Sequence, residues 1–283
     1  MRVESSTMHY RPDIDGLRAV AVWLVVLYHF QRRFEINGYM GVDIFFVISG
    51  FLITSIIQSG ISNNKFSITD FYFRRIRRIL PALCAVLSCT VIFSYFLFLP
   101  INYLSYAKSL IATVGFSSNI FFLHEAGYFD RDAVFKPLLH TWSLGVEEQF
   151  YIIFPVLLIL FNQHFKKKVG LLILLLALIS LSLNILFIYK GFQATAFYML
   201  PMRAWELSIG SLLVLLKWPQ LKKLWHIEIL SCAAVIILFT GVLLPINLQD
   251  FPGVYALFPT IGTAILIYCG SVSQNTFLPN YLA

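Results

Sequence analysis

The sequence predicts an all-α polytopic membrane bundle, and three observations carry that prediction. Hydrophobic residues make up 59% of the 283 and charged residues only 12%, with a mean hydropathy of +0.78. A soluble core of this size does not need so much apolar sequence. Long apolar runs recur at the length of a bilayer-crossing helix. Lysine and arginine sort unequally between alternate connections, as they do in inserted chains.

The expected spans are 16–34, 41–59, 79–99, 144–163, 170–189, 196–216, 227–246 and 254–271, eight in all. The first follows a polar arm of 15 residues and reads as a true span rather than a cleavable leader. Orientation follows the basic residues. The N-terminal arm, the connection carrying "RRIRR" at 74–78, the "KKK" at 166–168, and Lys217, Lys222 and Lys223 together hold 13 of the 21. The opposite set holds Arg32, Arg33, Lys108, Arg131, Lys136 and Lys190, which is six. The N-terminus is therefore expected in the cytoplasm. A ninth apolar stretch, 104–123, would invert this order if it spanned. It carries Lys108, one Asn and five serines or threonines, and reads as an interfacial or re-entrant helix on the outer side. The net charge of +7 is spent on this sorting, so nucleic acid is not an expected partner, whereas membrane lipid is.

The four cysteines, Cys84, Cys89, Cys232 and Cys269, show neither metal spacing nor a loop disulfide pattern. They read as small buried hydrophobes, and no metal site is expected. No internal repeat, low-complexity segment or second domain is evident.

Ionisable residues inside the spans carry the functional signal, because charge in hydrocarbon is costly and rarely idle. Arg18 and His29 lie eleven residues apart, which returns an α-helix to within roughly 20° and puts both on one stripe. Snorkelling is the competing explanation for such a pair. "GYMGVDIFFVISGFLI" enters the next span from outside and places Asp43 at the level of His29, with Gly38 and Gly41 making a tight connection. A carboxylate beside an imidazole fixes its tautomer, as a general base requires; a helix N-terminal Asp also complements the dipole. "HTWSLGVEEQFYIIFP" puts His140, Trp142, Glu147 and Glu148 at about the same depth. Adjacent glutamates point to different faces, so one of the two is expected at a given site. Arg203 and Glu206 form an i,i+3 pair whose simplest role is a structural salt bridge. On the cytoplasmic side Arg74, Arg75, Arg77 and Arg78 are topogenic. They also suit phosphate, because guanidinium grips phosphate oxygens bidentately; the other cytoplasmic clusters use lysine, which serves for topology alone. The expected arrangement has two ends, a phosphate-attracting patch inside and a His, Asp, Glu and Arg layer in the outer third.

Five segments, "DGLRAVAVWLVVLYHF", "GYMGVDIFFVISGFLI", "FYFRRIRRILPAL", "LLHTWSLGVEEQFYIIFPVLL" and "RAWELSIGSLLVL", resemble in order and spacing the bacterial membrane acyltransferase family 3, over about residues 10–270. The resemblance implies O-acyl transfer, usually of acetyl from cytoplasmic acetyl-CoA, to a hydroxyl of a cell-envelope glycan such as O-antigen, exopolysaccharide or peptidoglycan, or a lipid-linked saccharide, at the bacterial inner membrane. The family's basic residue and histidine of the first span fall on Arg18 and His29, and its Arg-x-x-Arg pattern on Arg74–Arg77 and Arg75–Arg78. Members usually have ten spans, with a Ser-Tyr…Leu-Trp-His-Trp-Pro-like stretch opening the ninth. This chain stops at "NTFLPNYLA". The expectation is thus one acyltransferase domain, 1–283, incomplete at its C-terminus and without the hydrolase-like domain some members append.

On this reading His29 is the general base and Asp43 orients it. Arg74, Arg75, Arg77 and Arg78 hold the CoA phosphates and Arg18 lines the pantetheine path. Glu147 and Glu148 belong to the catalytic layer, with Arg203, Glu206, His140 and Trp142 on the acceptor side. A transporter of an anionic or lipid-linked glycan is the alternative, since intramembrane charge is expected there too; the absence of repeated halves in the sequence weighs against it.

The topology is directly testable. With the native cysteines replaced, Asp132→Cys is expected to react with a membrane-impermeant thiol reagent on intact cells. Reaction only after membrane disruption would reverse the orientation and remove the two-ended arrangement.

Overall fold

A computed structural model describes residues 10–30, 36–125, 136–221 and 223–277, without the side chains of 101 and 273–277. Arg32, Arg33, Arg131, Asp132, Lys222 and the end of the first expected span lie outside the described residues. The described residues form helices and no strand: α1 (Pro12–Phe30), α2 (Gly41–Ser62), α3 (Ile68–Leu97), α4 (Pro100–Val114), α5 (Ser118–His124), α6 (Thr141–Phe165), α7 (Val169–Tyr189), α8 (Gln193–Tyr198), α9 (Leu200–Leu215), α10 (Leu224–Leu243) and α11 (Leu257–Phe277). The chain divides into two compact units. One holds 1–48, 217–246 and 256–283, the other 49–216 and 247–255.

The all-helical class is as expected, while eight separate spans are not confirmed. Among the described residues five helical stretches are long and apolar enough to cross a membrane: Gly38–Ser62, Ile68–Leu97, Thr141–Tyr189, Leu224–Leu243 and Gly253–Val272. Thr141–Tyr189 joins two expected spans through a 3₁₀ turn at Lys166–Lys168. The stretches expected at 16–34 and 196–216 are not among the five. Helix α1 carries Asp13, Asp15 and Arg18 in its first half. Helix α9 has only 16 residues, about 24 Å against a hydrocarbon core of roughly 30 Å. The segment at 104–123 is broken as well. Helices α4 and α5 part around Phe116, whose φ of 50° is left-handed, and neither piece is long enough to span.

In the first unit, helix α1 buries Ile14, Ala21 and Leu24 along one stripe. Gly38 and Gly41 bring the following turn and the start of α2 onto this helix, because a Cβ at either would overlap the Leu24 or Ala21 carbonyl oxygen. Asn37 donates from Nδ2 to the Gly241 and Leu244 carbonyls at 3.0 and 2.7 Å, tying the same turn to the end of α10. Arg11 pairs with Asp13 at 2.6 Å and donates to Ser271 Oγ and the Ile267 carbonyl of α11.

The second unit is held by side chains that satisfy backbone groups where helices break. Asn184 of α7 donates to the Ala196 and Met202 carbonyls across the α8–α9 junction, and Ser180 donates to the Pro201 carbonyl. Helix α3 starts at a Ser67 cap that accepts from the Asp70 amide at 3.3 Å. Its far end is widely exposed at Phe93, Tyr95, Phe96 and Leu97, a face suited to lipid. The cysteines depart from expectation for the same reason. Cys84, Cys89 and Cys232 are exposed on outward apolar faces, and only Cys269 is buried.

Gly50 is a tight contact of the second unit, since a Cβ there would overlap the Leu207 carbonyl oxygen of α9. Gly50→Val is expected to destabilise by about 1–3 kcal/mol, the usual cost of overpacking, and to lower the unfolding temperature in detergent. Gly16→Ala, inside α1 with nothing within 4 Å, should move it the other way.

Candidate functional site

The ionisable groups fall into three settings. The first is helix α1 and the start of α2. Arg18 and His29 lie on one flank of the buried stripe of α1, as their spacing predicts. Arg18 pairs with Asp15 of its own helix at 3.2 Å. His29 is exposed, and its Nδ1 sits 2.8 Å from the Val25 carbonyl. A carbonyl can only accept, so Nδ1 carries the hydrogen and Nε2 is left as the basic nitrogen. The Tyr28 ring meets the His29 and Tyr39 rings edge-on, each at 5.4 Å between centroids. Tyr39 in turn donates to Asn37 Oδ1 at 2.9 Å. Asp43 is fully buried, and its charge bears on Tyr39. His29 Nδ1 is thus held by a backbone carbonyl one turn earlier in α1.

The second setting, within the other unit, gathers residues from α2, α3 and α6. Glu147 accepts through both oxygens, from Ser49 Oγ and from the Tyr151 hydroxyl, each at 3.0 Å. Arg75 lies over the Tyr151 ring at 3.8 Å from the centroid, close enough for a cation–π contact, and its charge acts on Glu148. Pro155 explains why α3 docks here. Lacking an N–H, it leaves the Tyr151 carbonyl without its helical donor. Tyr72 of α3 supplies one, its hydroxyl reaching the Tyr151 and Ile152 carbonyls at 3.3 and 3.0 Å. Arg75 follows three residues later on the same face.

This cluster corrects one expectation. The arginines do not act as one patch at the far end from the glutamates, because Arg75 lies beside Tyr151, within a turn of Glu148. Arg74, Arg77 and Arg78 are exposed, and Arg77 stacks on Phe73 of its own helix at 4.2 Å. Glu147 bonds the Tyr151 hydroxyl, and the charge of Glu148 also bears on Tyr151.

The third setting is the Arg203–Glu206 pair of α9, at 3.0 Å and with both residues fully buried. The Arg203 guanidinium lies 5.7–5.9 Å from the ring centroids of Trp142, Phe197 and Phe251. Trp142 is buried against Phe197 at 4.5 Å, while His140 is exposed at the start of α6. Breaking a buried pair of this kind typically costs about 3–5 kcal/mol. Loss of activity on replacing Arg203 or Glu206 would thus not identify an acceptor contact.

Ser49, Tyr72 and Tyr151 escape the sequence reading because a hydroxyl in an apolar run is ordinary. The one local signal is Pro155, which marks Tyr151 as a carbonyl in need of a donor.

A family profile described as an acyltransferase domain matches residues 11–282. A Haemophilus influenzae protein without an assigned function is 37% identical over 244 residues, covering 82% of this chain and 98% of that protein. A Staphylococcus aureus protein named as a candidate O-acetyltransferase is 37% identical over 221 residues, 76% of this chain. A Bacillus subtilis protein named as a candidate peptidoglycan O-acetyltransferase has the same identity over the same length. The chain spans only 36% and 34% of these last two relatives. No solved structure matches. On the match of residues 11–282, the chain belongs to acyltransferase family 3.

Proposed function

We propose that this acyltransferase moves an acyl group, acetyl in the simplest case, from cytoplasmic acyl-CoA to a hydroxyl of a cell-envelope glycan. The observation that carries the reading is His29. It is an exposed imidazole on an apolar helix, with Nδ1 committed to the Val25 carbonyl and Nε2 available as a base. Its role is to take the proton of the acceptor hydroxyl as that oxygen attacks the acyl carbon. The relative named for peptidoglycan supports a glycan acceptor.

Arg74, Arg77 and Arg78 suit the donor's phosphates, being exposed guanidiniums on one helix start. Arg18 adds a cation on the His29 stripe, along which the pantetheine arm would run. The location is the bacterial inner membrane with the N-terminus in the cytoplasm, which puts the donor and the basic connections on one side.

Replacing His29 by Gln keeps volume and hydrogen bonding but cannot cycle a proton. His29→Gln is expected to lower glycan acylation 10²–10⁴-fold, the usual worth of a positioned base, while expression and CoA binding persist. Near-normal acylation would make the imidazole structural. In the donor site, Arg74→Ala with Arg77→Ala should weaken acyl-CoA binding by calorimetry on the order of tenfold or more, each lost charged hydrogen bond being worth about 1.5–3 kcal/mol. Lys at both positions should restore part of it, keeping charge without the planar fork. Unchanged affinity in the correctly inserted double-Ala chain would return these arginines to topology alone.

A further inference from the structure

Helix α2 carries four hydroxyls with a described partner, and one of them is unlike the others. Thr54, Ser55 and Ser62 each donate to the carbonyl four residues back, at 2.7, 2.8 and 2.8 Å. This is the ordinary resting place for a hydroxyl on a helix in apolar surroundings. Ser49 instead sends its hydrogen across to Glu147 Oε1 of α6 at 3.0 Å. The second oxygen of Glu147 is held by the Tyr151 hydroxyl, whose own surroundings include Ser49. The carboxylate is therefore fixed in place, with one oxygen aimed at the serine. Hydroxyls elsewhere in this unit mostly bond backbone: Ser180, Ser118 and Ser109 donate to the Pro201, Thr141 and Tyr106 carbonyls. Ser105 also meets a carboxylate, that of Glu125, but Glu125 is already ion-paired with Lys136 at 3.2 Å. Ser49 is also half-buried rather than sealed, and Arg75 stands against the same cluster as its cation.

A nucleophile needs an adjacent base, a base needs a third group to hold it, and a developing oxyanion needs positive charge nearby. Ser49, Glu147, Tyr151 and Arg75 match those roles in order. We propose that Ser49 is acylated during turnover, so that the acyl group crosses from donor to acceptor as a seryl ester. The inference rests on the acyl-CoA reading given above. In the first step Ser49 Oγ attacks the thioester carbonyl and its proton passes to Glu147. The carbon–sulfur bond then breaks, and the thiolate leaves and takes a proton from solvent. In the second step an acceptor hydroxyl attacks the ester carbonyl and gives up its proton to a base. The bond from the acyl carbon to Oγ breaks, and Ser49 regains its proton from Glu147. Partial burial serves this scheme, because an ester held away from bulk water is slow to hydrolyse.

The test uses the full chain in nanodiscs with radiolabelled acetyl-CoA and no glycan. Label is expected on the peptide containing Ser49, as an alkali-labile ester located by tandem mass spectrometry, and it should discharge when acceptor is added. Ser49→Ala should lose it, while Ser49→Cys should yield a hydroxylamine-labile thioester at the same position. Glu147→Gln, which still accepts the serine hydrogen bond but takes no proton, should slow labelling about 10²–10⁴-fold. The wild-type adduct needs no variant, so misfolding of Ser49→Ala leaves the test intact. Acyl-CoA binding with no adduct at Ser49, or full glycan acylation by a folded Ser49→Ala chain, overturns the seryl ester and leaves the donor reading standing. Absence of any acyl-CoA binding by calorimetry overturns both.

Discussion

A polar group in hydrocarbon has no water to fall back on, and this constraint governs where the helices of the chain meet. Its clearest expression is the carbonyl of Tyr151. Pro155 removes the donor that carbonyl would have had, and Tyr72 of α3 replaces it. The consequence reaches beyond one hydrogen bond. Docking Tyr72 brings Arg75 over the Tyr151 ring, and Tyr151 in turn holds Glu147. A helix defect is thereby turned into an anchor for a charged cluster. Similar repairs recur in the same unit, where Asn184 and Ser180 serve the broken α8–α9 junction.

Charge within the second unit is treated in two contrasting ways. Arg203 and Glu206 are sealed together among three aromatic rings, with no surface exposed. Such a pair satisfies itself and can hold a helix in place without meeting a substrate. Ser49, Glu147, Glu148 and Arg75, gathered around the buried Tyr151, are only half-buried and share their charges among more partners. Reactive chemistry calls for the second arrangement, because a group that must change its bonding cannot be locked into a single one.

In the first unit the same logic operates on the imidazole. A buried carboxylate is the usual device for fixing a histidine tautomer, yet here the carbonyl four residues earlier does it. Asp43 is fully buried, and its charge bears on Tyr39. The carbonyl contact makes the His29 tautomer a property of helix α1 itself.

What the sequence determined by itself is whatever depends on period and sorting. The apolar runs fixed an all-helical class. The spacing of Arg18 and His29 fixed their shared flank, and Gly38 and Gly41 announced a close approach to α1. Family membership was legible too, because five motifs stand in order. Tertiary structure decided the rest. Helix length depends on where caps and breaks fall, so α9 came out shorter than the span expected at 196–216. Outward faces meant for lipid look like core in one dimension, which is why three of the four cysteines are exposed. Partner choice was least legible of all. Arg75 is indistinguishable in sequence from Arg74, Arg77 and Arg78, and its separation from them follows from a proline on another helix, 80 residues away in the chain. Ser49 is likewise one hydroxyl among several in α2, and only the packing of α6 against it gives its hydrogen a carboxylate to meet.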